Sequence, residues 1–278
     1  MYSALNHGLI AGSARDLVPF VLHRPTTVAE AVALLDAKND DIVLYAGGTD
    51  LCAAWREGKA VSDLVWLKGI GGLADISVVD DALHIGAMVT HHQGVNHDAL
   101  KQISGLREAW SKIATVRVRF AATIGGNLMA RRTSHEMAIL LVALNARLSF
   151  SSPGGVREIE AASLFEIGDY GSGLLTHIAI PLKGRPVLDY ERALRPTMTQ
   201  ALGLWRGEDG QNRGRVVMAT RYLPPQCLEL NFSADDIVSE ALAALPEDYQ
   251  DPSASNAYLR QVGGVFLRRQ LFRLGDAR

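Results

Sequence analysis

The chain has 278 residues, 48% of them hydrophobic and 21% charged, with a formal net charge of -2. That composition supplies apolar surface for one large domain or a few smaller ones, and the near-neutral balance without a basic run excludes nucleic acid as the main partner. Two cysteines, Cys52 and Cys227, cannot hold a four-cysteine iron–sulfur cluster or a cysteine-rich zinc site, and no window reaches the apolar length of a membrane span.

The first residues lack the basic start and apolar core of a signal peptide. Residues 1–17 therefore read as a flexible lead to a cytoplasmic protein. The cysteines read as two buried or idle thiols. Thr27 to Glu30 is a capping box, and it predicts a helix with Val28, Ala31, Val32 and Leu35 on its apolar face. Ile42 to Tyr45 is a short β run that stops at Gly47-Gly48; Asp50 then caps a helix through about Glu57. "DLVWLK" at 63–68 is a second β run, so the opening region reads as a small parallel α/β unit.

From Gly69 the texture changes. "ISVVDDALHIGA" predicts a hairpin turning at Asp80-Asp81. Ser104 opens a helix carrying Leu106, Trp110 and Ile113, and Thr133 or Ser134 opens another carrying Met137, Leu140, Leu141 and Leu144. A second hairpin turns at Pro153-Gly154-Gly155, and "LLTHIAIPL" is a strand ending at Pro181. Beyond Lys183, two strands flank a polar loop, followed by helices over 234–245 and 253–274. The last helix places Leu259, Val262, Val265, Phe266 and Leu271 on its apolar side.

Three glycine clusters compete for a functional role. Gly69 to Ala74 fits G-x-G-x-x-A after a strand, but a hairpin pattern follows where a dinucleotide site needs a helix. We set that match aside. Gly47-Gly48 reads either as a tight strand-to-helix turn needing positive φ or as a nest of N–H groups for an anion. Gly125-Gly126-Asn127 follows a β-like run and precedes a helix; N–H groups freed there, with the Thr123 hydroxyl, suit a second phosphate. His91, His92 and His97 read as an exposed polar turn rather than a metal site. No nucleophile or acid–base pair stands out, which points to a cofactor as the carrier of the chemistry.

"FVLHRPTTVAEAVALL", "LYAGGTDL", "LHIGAMVTHHQ", "VRVRFAATIGGNL" and "LLTHIAIP" stand in this order. With these segments, and above all the A-G-G-T-D-L and T-I-G-G-N pair, the chain resembles the FAD-binding medium subunit of the molybdenum hydroxylases. These are enzymes of the xanthine dehydrogenase, carbon monoxide dehydrogenase and aldehyde oxidoreductase type. The resemblance covers about residues 18–274. It implies an α+β fold: a flavin-binding pair of subdomains of the vanillyl-alcohol oxidase type, 18–69 and 70–182, and a C-terminal subdomain of antiparallel sheet and helices, 183–278.

The resemblance also implies FAD as cofactor, lying between the first two subdomains with both glycine loops at its pyrophosphate. The implied contacts are Leu44, Tyr45, Ala46, Gly47, Gly48, Thr49, Asp50 and Leu51 from the first loop. Ala122, Thr123, Gly125, Gly126 and Asn127 come from the second, with Arg132, Glu136, Leu175 and Tyr190 beyond it. Tyr190 would lie near the flavin ring. No catalytic residue and no metal ligand is implied on this chain. The implied partners are a small subunit with two 2Fe–2S clusters and a molybdopterin-bearing large subunit, with NAD+ or another molecule as electron acceptor. Two alternatives stand beside this: a flavin-free scaffold subunit of the same complex, and a self-standing flavin oxidase.

One segment departs from the family. Relatives follow T-I-G-G-N with small residues, a proline and an acid; this chain has Arg131-Arg132-Thr133-Ser134-His135-Glu136. Glu136 stands where the family acid approaches the ribose, and two cations replace the proline. Thr133 to Glu136 is also a capping box in pattern.

Overall fold

The computed structural model describes residues 19–38, 42–57, 59–166, 173–193 and 197–275. The expected lead over 1–17 lies outside them. A first unit is built from β1 (Val21–His23), α1 (Val28–Lys38), β2 (Ile42–Tyr45), α2 (Thr49–Arg56) and β3 (Asp63–Trp66). Its sheet has the order β1-β3-β2, with both pairings parallel. The Thr27 box forms: the Glu30 N–H donates to Thr27 Oγ1 at 3.1 Å, and the Glu30 carboxylate accepts from the Thr26 N–H at 2.7 Å. Ala31 and Val32 of α1 pack with Val65, Leu67 and Ile70, and the same cluster includes Met88 and Leu174. Apolar contact therefore seats this unit on the next one.

The middle region has β4 (Ile76–Val79), β5 (Ala82–Gly86), then the short helices α3 (His91–Asn96), α4 (Leu106–Ser111), α5 (Val116–Ala121), α6 (Ile124–Met129) and α7 (Met137–Ala143). The strands β6 (Arg147–Ser152), β7 (Gly155–Glu160) and β8 (Leu174–Pro181) complete an antiparallel sheet ordered β4-β5-β8-β6-β7. Asp80 and Asp81 have φ of 50° and 55°, the left-handed pair that a tight hairpin turn demands.

The third sheet, β12-β11-β10-β9, is antiparallel and comprises β9 (Val187–Arg192), β10 (Thr199–Arg206), β11 (Asn212–Ala219) and β12 (Gln226–Glu229). Two helices, α8 (Ile237–Ala243) and α9 (Asn256–Gly275), cover it. All seven residues of α7 are buried. That helix lies between the middle and third sheets, sharing one core with Leu148, Ile178, Leu188, Tyr190, Ala201 and Val217. A Cβ on Gly203 of β10 would stand 2.0 Å from the Ala143 carbonyl oxygen, so glycine permits this close approach.

Several expectations need correction. Gly105, with φ of 83°, precedes α4, so Ser104 does not cap it; Ser104 instead bridges to Val187. The helix expected from Thr133 or Ser134 begins at Met137, because the Thr133 hydroxyl donates to the Arg221 carbonyl at 2.6 Å. Gly48 precedes α2 in the left-handed region, leaving Asp50 in the first turn rather than at the cap. Val265 is 39% exposed and does not share the apolar side of α9. β9 and β12 had no counterpart in the sequence reading. Both cysteines are free and exposed, not buried.

His91 is the sharpest reversal. It is fully buried at the start of α3, a helix that Thr90 opens with a complete capping box. Its Nδ1 accepts the Trp110 indole N–H at 2.8 Å, and its Nε2 has no partner. Burial, with charge from His135 and Arg119, lowers its pKa from 6.5 to about 4. The unfolded chain thus binds this proton more readily than the folded one. His91 leaves stability unchanged above pH 6.5 and lowers it progressively as pH falls towards 4. The total loss is on the order of 3 kcal/mol, at about 1.4 kcal/mol per unit. We predict that His91→Gln, which retains an acceptor for Trp110, flattens the fall in melting temperature across that window. Parallel pH-melting curves for the two proteins would check it.

Candidate functional site

A cleft of about 1540 Å³ opens between the first unit and the middle region. Fifteen of the expected residues line it: Leu44, Ala46, Gly47, Gly48, Thr49, Asp50, Leu51, Ala122, Thr123, Gly125, Gly126, Asn127, Arg132, Glu136 and Leu175. Tyr45 and Tyr190 do not. The Tyr45 ring lies beneath Gly48, where a Cβ would stand 2.3 Å from it, and is tilted against Trp55.

The first loop turns from β2 into α2 through Gly48, whose φ is 73°. Among the described residues, no hydrogen-bond acceptor meets the backbone N–H groups of Gly47 to Leu51; the next, that of Cys52, donates to the Gly48 carbonyl. A row of free donors at a helix start attracts an anion. The turn and nest readings of Gly47-Gly48 are therefore compatible. Gly47 has a further constraint, since its Cβ would stand 2.1 Å from the Ala121 carbonyl oxygen.

The second loop differs from expectation. Thr123 caps α6 by accepting the Gly126 N–H at 3.1 Å. The N–H groups of Ile124, Gly125 and Asn127 donate to Val89, Ala87 and Thr123 carbonyls at 2.9, 2.8 and 2.9 Å. The donors expected to be free are engaged, because the loop is stitched to the chain around β5 and α3. Gly125 is packed against Ala87, while a Cβ on Gly126 would meet only Thr123 Oγ1 at 3.0 Å and Ala46 Cβ at 3.7 Å. Asn127 Oδ1 is buried without a partner.

The 131–136 segment closes the cleft. Arg132 Nε lies 3.6 Å from Asp50 Oδ1, so opposite charges from the two lips face each other, and His135 Nε2 lies 3.8 Å from Asp50 Oδ2. Glu136 makes no capping bond. It accepts the Tyr190 hydroxyl at 2.5 Å and stands 3.6 Å from Arg192 Nη1. Burial, and then the Glu136 charge, raise the Tyr190 pKa, keeping it a protonated donor. Tyr190 itself is only 3% exposed and belongs to the core. Its link to the cleft runs through Glu136.

The sequence reading missed Lys59, Met88, Thr115, Met129, His135 and Arg192 on the cleft wall. Arg192 was findable: it follows Tyr190 by two on β9, and alternate residues of a strand share a face. The others meet only through tertiary packing. Among the described residues, no group of His, Cys, Asp and Glu could hold a metal ion, and no helix is long and apolar enough to cross a membrane.

Residues 18–183 match the family described as the FAD binding domain in molybdopterin dehydrogenase. The carbon monoxide dehydrogenase medium chain of Afipia carboxidovorans is 29% identical, over 91% of this chain and 96% of that one. The medium chain of the same name from Hydrogenophaga pseudoflava is 30% identical, again over 91% and 96%. Among solved structures, reconstituted CO dehydrogenase from Oligotropha carboxidovorans superimposes with a TM-score of 0.79 at 27% identity, covering 93% of this chain and 98% of the matched one.

Proposed function

Because the chain belongs to the family of FAD-binding domains in molybdopterin dehydrogenases, we propose that it is the FAD-carrying electron-transfer subunit of a heterotrimeric molybdenum hydroxylase. FAD fits the cleft on two features of the protein. Gly126 presents backbone without a side chain to the open space, and Asn127 Oδ1 is a buried acceptor awaiting a donor. Bound FAD would supply the means to take up electrons from 2Fe–2S clusters of a small partner subunit and release them to NAD+ or another acceptor.

The chain's own residues bind and orient. The amides of Gly47 to Leu51 meet one phosphate, and Gly126 lets the pyrophosphate approach α6. Glu136 accepts from the ribose hydroxyls, held in place by Tyr190. Leu44 and Leu175 give the cleft apolar walls. In this reading residues 18–69 and 70–182 form a flavin-binding pair of the vanillyl-alcohol oxidase type, and 183–278 form a third subdomain facing the ring. Substrate chemistry belongs to a molybdopterin-bearing large subunit, and the complex is cytoplasmic.

The observation that carries the proposal is the row of free amides facing a cleft large enough for a dinucleotide. Co-expression with candidate large and small subunits, followed by native mass measurement, tests the partner assignment. A complex containing all three chains is expected; a stable monomer indifferent to both would overturn it.

A further inference from the structure

The two loops come to the cleft with unequal means. At the first, five consecutive amides, those of residues 47–51, lack an acceptor among the described residues. At the second, the amides of Ile124, Gly125, Gly126 and Asn127 are all engaged within the protein, so these donors at the start of α6 are not free for an anion. Of the two glycine loops, only the first offers the pyrophosphate free backbone donors.

Charge is available where the second loop lacks donors. Arg132 and His135 both line the cleft. His135 Nδ1 is 3.1 Å from the Asn127 carbonyl, which turns Nε2 towards Asp50. The contacts of these two side chains with Asp50, at 3.6 and 3.8 Å, exceed hydrogen-bond length. The side chains of Arg132 and Asp50 are 55% and 42% exposed. Such a pair is loosely held and weak, whereas a guanidinium grips a phosphate through parallel N–H donors.

We propose that the second phosphate of FAD is held by the Arg132 guanidinium rather than by the second glycine loop, with Asp50 as the carboxylate that competes for it. This rests on the FAD reading above. It assigns the altered 131–136 segment a binding role: a guanidinium supplies what engaged amides cannot.

Flavin fluorescence titration of wild type, Arg132→Gln and Asp50→Asn tests the proposal, with riboflavin and NAD+ titrated alongside. Arg132→Gln is expected to bind FAD about tenfold to hundredfold more weakly, with riboflavin, which has no phosphate, unchanged. Asp50→Asn should bind FAD more tightly than wild type, a direction that general damage to the site would not produce. Equal FAD affinity in wild type and Arg132→Gln overturns the proposal, as does an equal loss of riboflavin. A loss confined to NAD+ also overturns it, by assigning Arg132 to a different pyrophosphate. Failure of wild type itself to bind FAD overturns the underlying FAD reading instead.

Discussion

Gly126→Val is expected to fold normally and to bind FAD about tenfold to hundredfold more weakly, the effect of pushing the pyrophosphate away from one or two of its hydrogen-bond donors on the opposite lip. The position is helical, with no positive φ, so valine meets no backbone barrier there. The added Cβ would touch Thr123 Oγ1 at 3.0 Å, a contact that a small shift relieves, and Ala46 Cβ at 3.7 Å. The branch methyls then extend into the cleft where the pyrophosphate must approach. Melting temperature near that of wild type, together with weak FAD binding, is the expected pair of results. Wild-type FAD affinity would contradict the close-approach argument.

Gly47→Val is expected to behave differently, although both glycines border the same cleft. Its Cβ would stand 2.1 Å from the Ala121 carbonyl oxygen, 2.8 Å from the carbonyl carbon and 2.9 Å from Ala122 Cα. These are backbone atoms at the junction of α5 and α6, and no side chain can swing aside. The first loop must move bodily off the second. Forced overpacking of this kind costs about 1–3 kcal/mol or more, which lowers the melting temperature by several degrees at roughly 2–4 °C per kcal/mol. FAD binding falls as well, because the amide row moves with the loop. Thermal melts of the two variants side by side separate the cases. An unchanged melting temperature in Gly47→Val would show that the loops are not pressed together as described.

The contrast between two capping boxes explains what the sequence made legible. Thr27 to Glu30 and Thr133 to Glu136 have the same pattern. The first forms because its side chains have only local partners. The second is dismantled by distant ones: Thr133 reaches Arg221, and Glu136 receives Tyr190 from β9. Local reading found the hairpin at Asp80-Asp81 and the strand Ile42 to Tyr45, where the signal and its cause lie in the same few residues. It misplaced His91, whose polar neighbours His92 and Asn96 disguise a ring turned inward onto Trp110. The cleft followed the same rule. Its glycine loops were readable as motifs, but which amides remain free depends on carbonyls of Ala87 and Val89 that no local pattern reveals. The bridge from Asp50 to Arg132 and His135 likewise joins separate elements and appears only in three dimensions.

Titration of the purified chain with FAD, followed by visible absorbance and flavin fluorescence, tests the central claim most directly. The account predicts saturable binding of a single equivalent, a yellow protein with flavin bands shifted by the cleft, and competition by ADP, which carries the same pyrophosphate. A chain that remains colourless with excess FAD, while its melting curve shows it to be folded, would contradict the account.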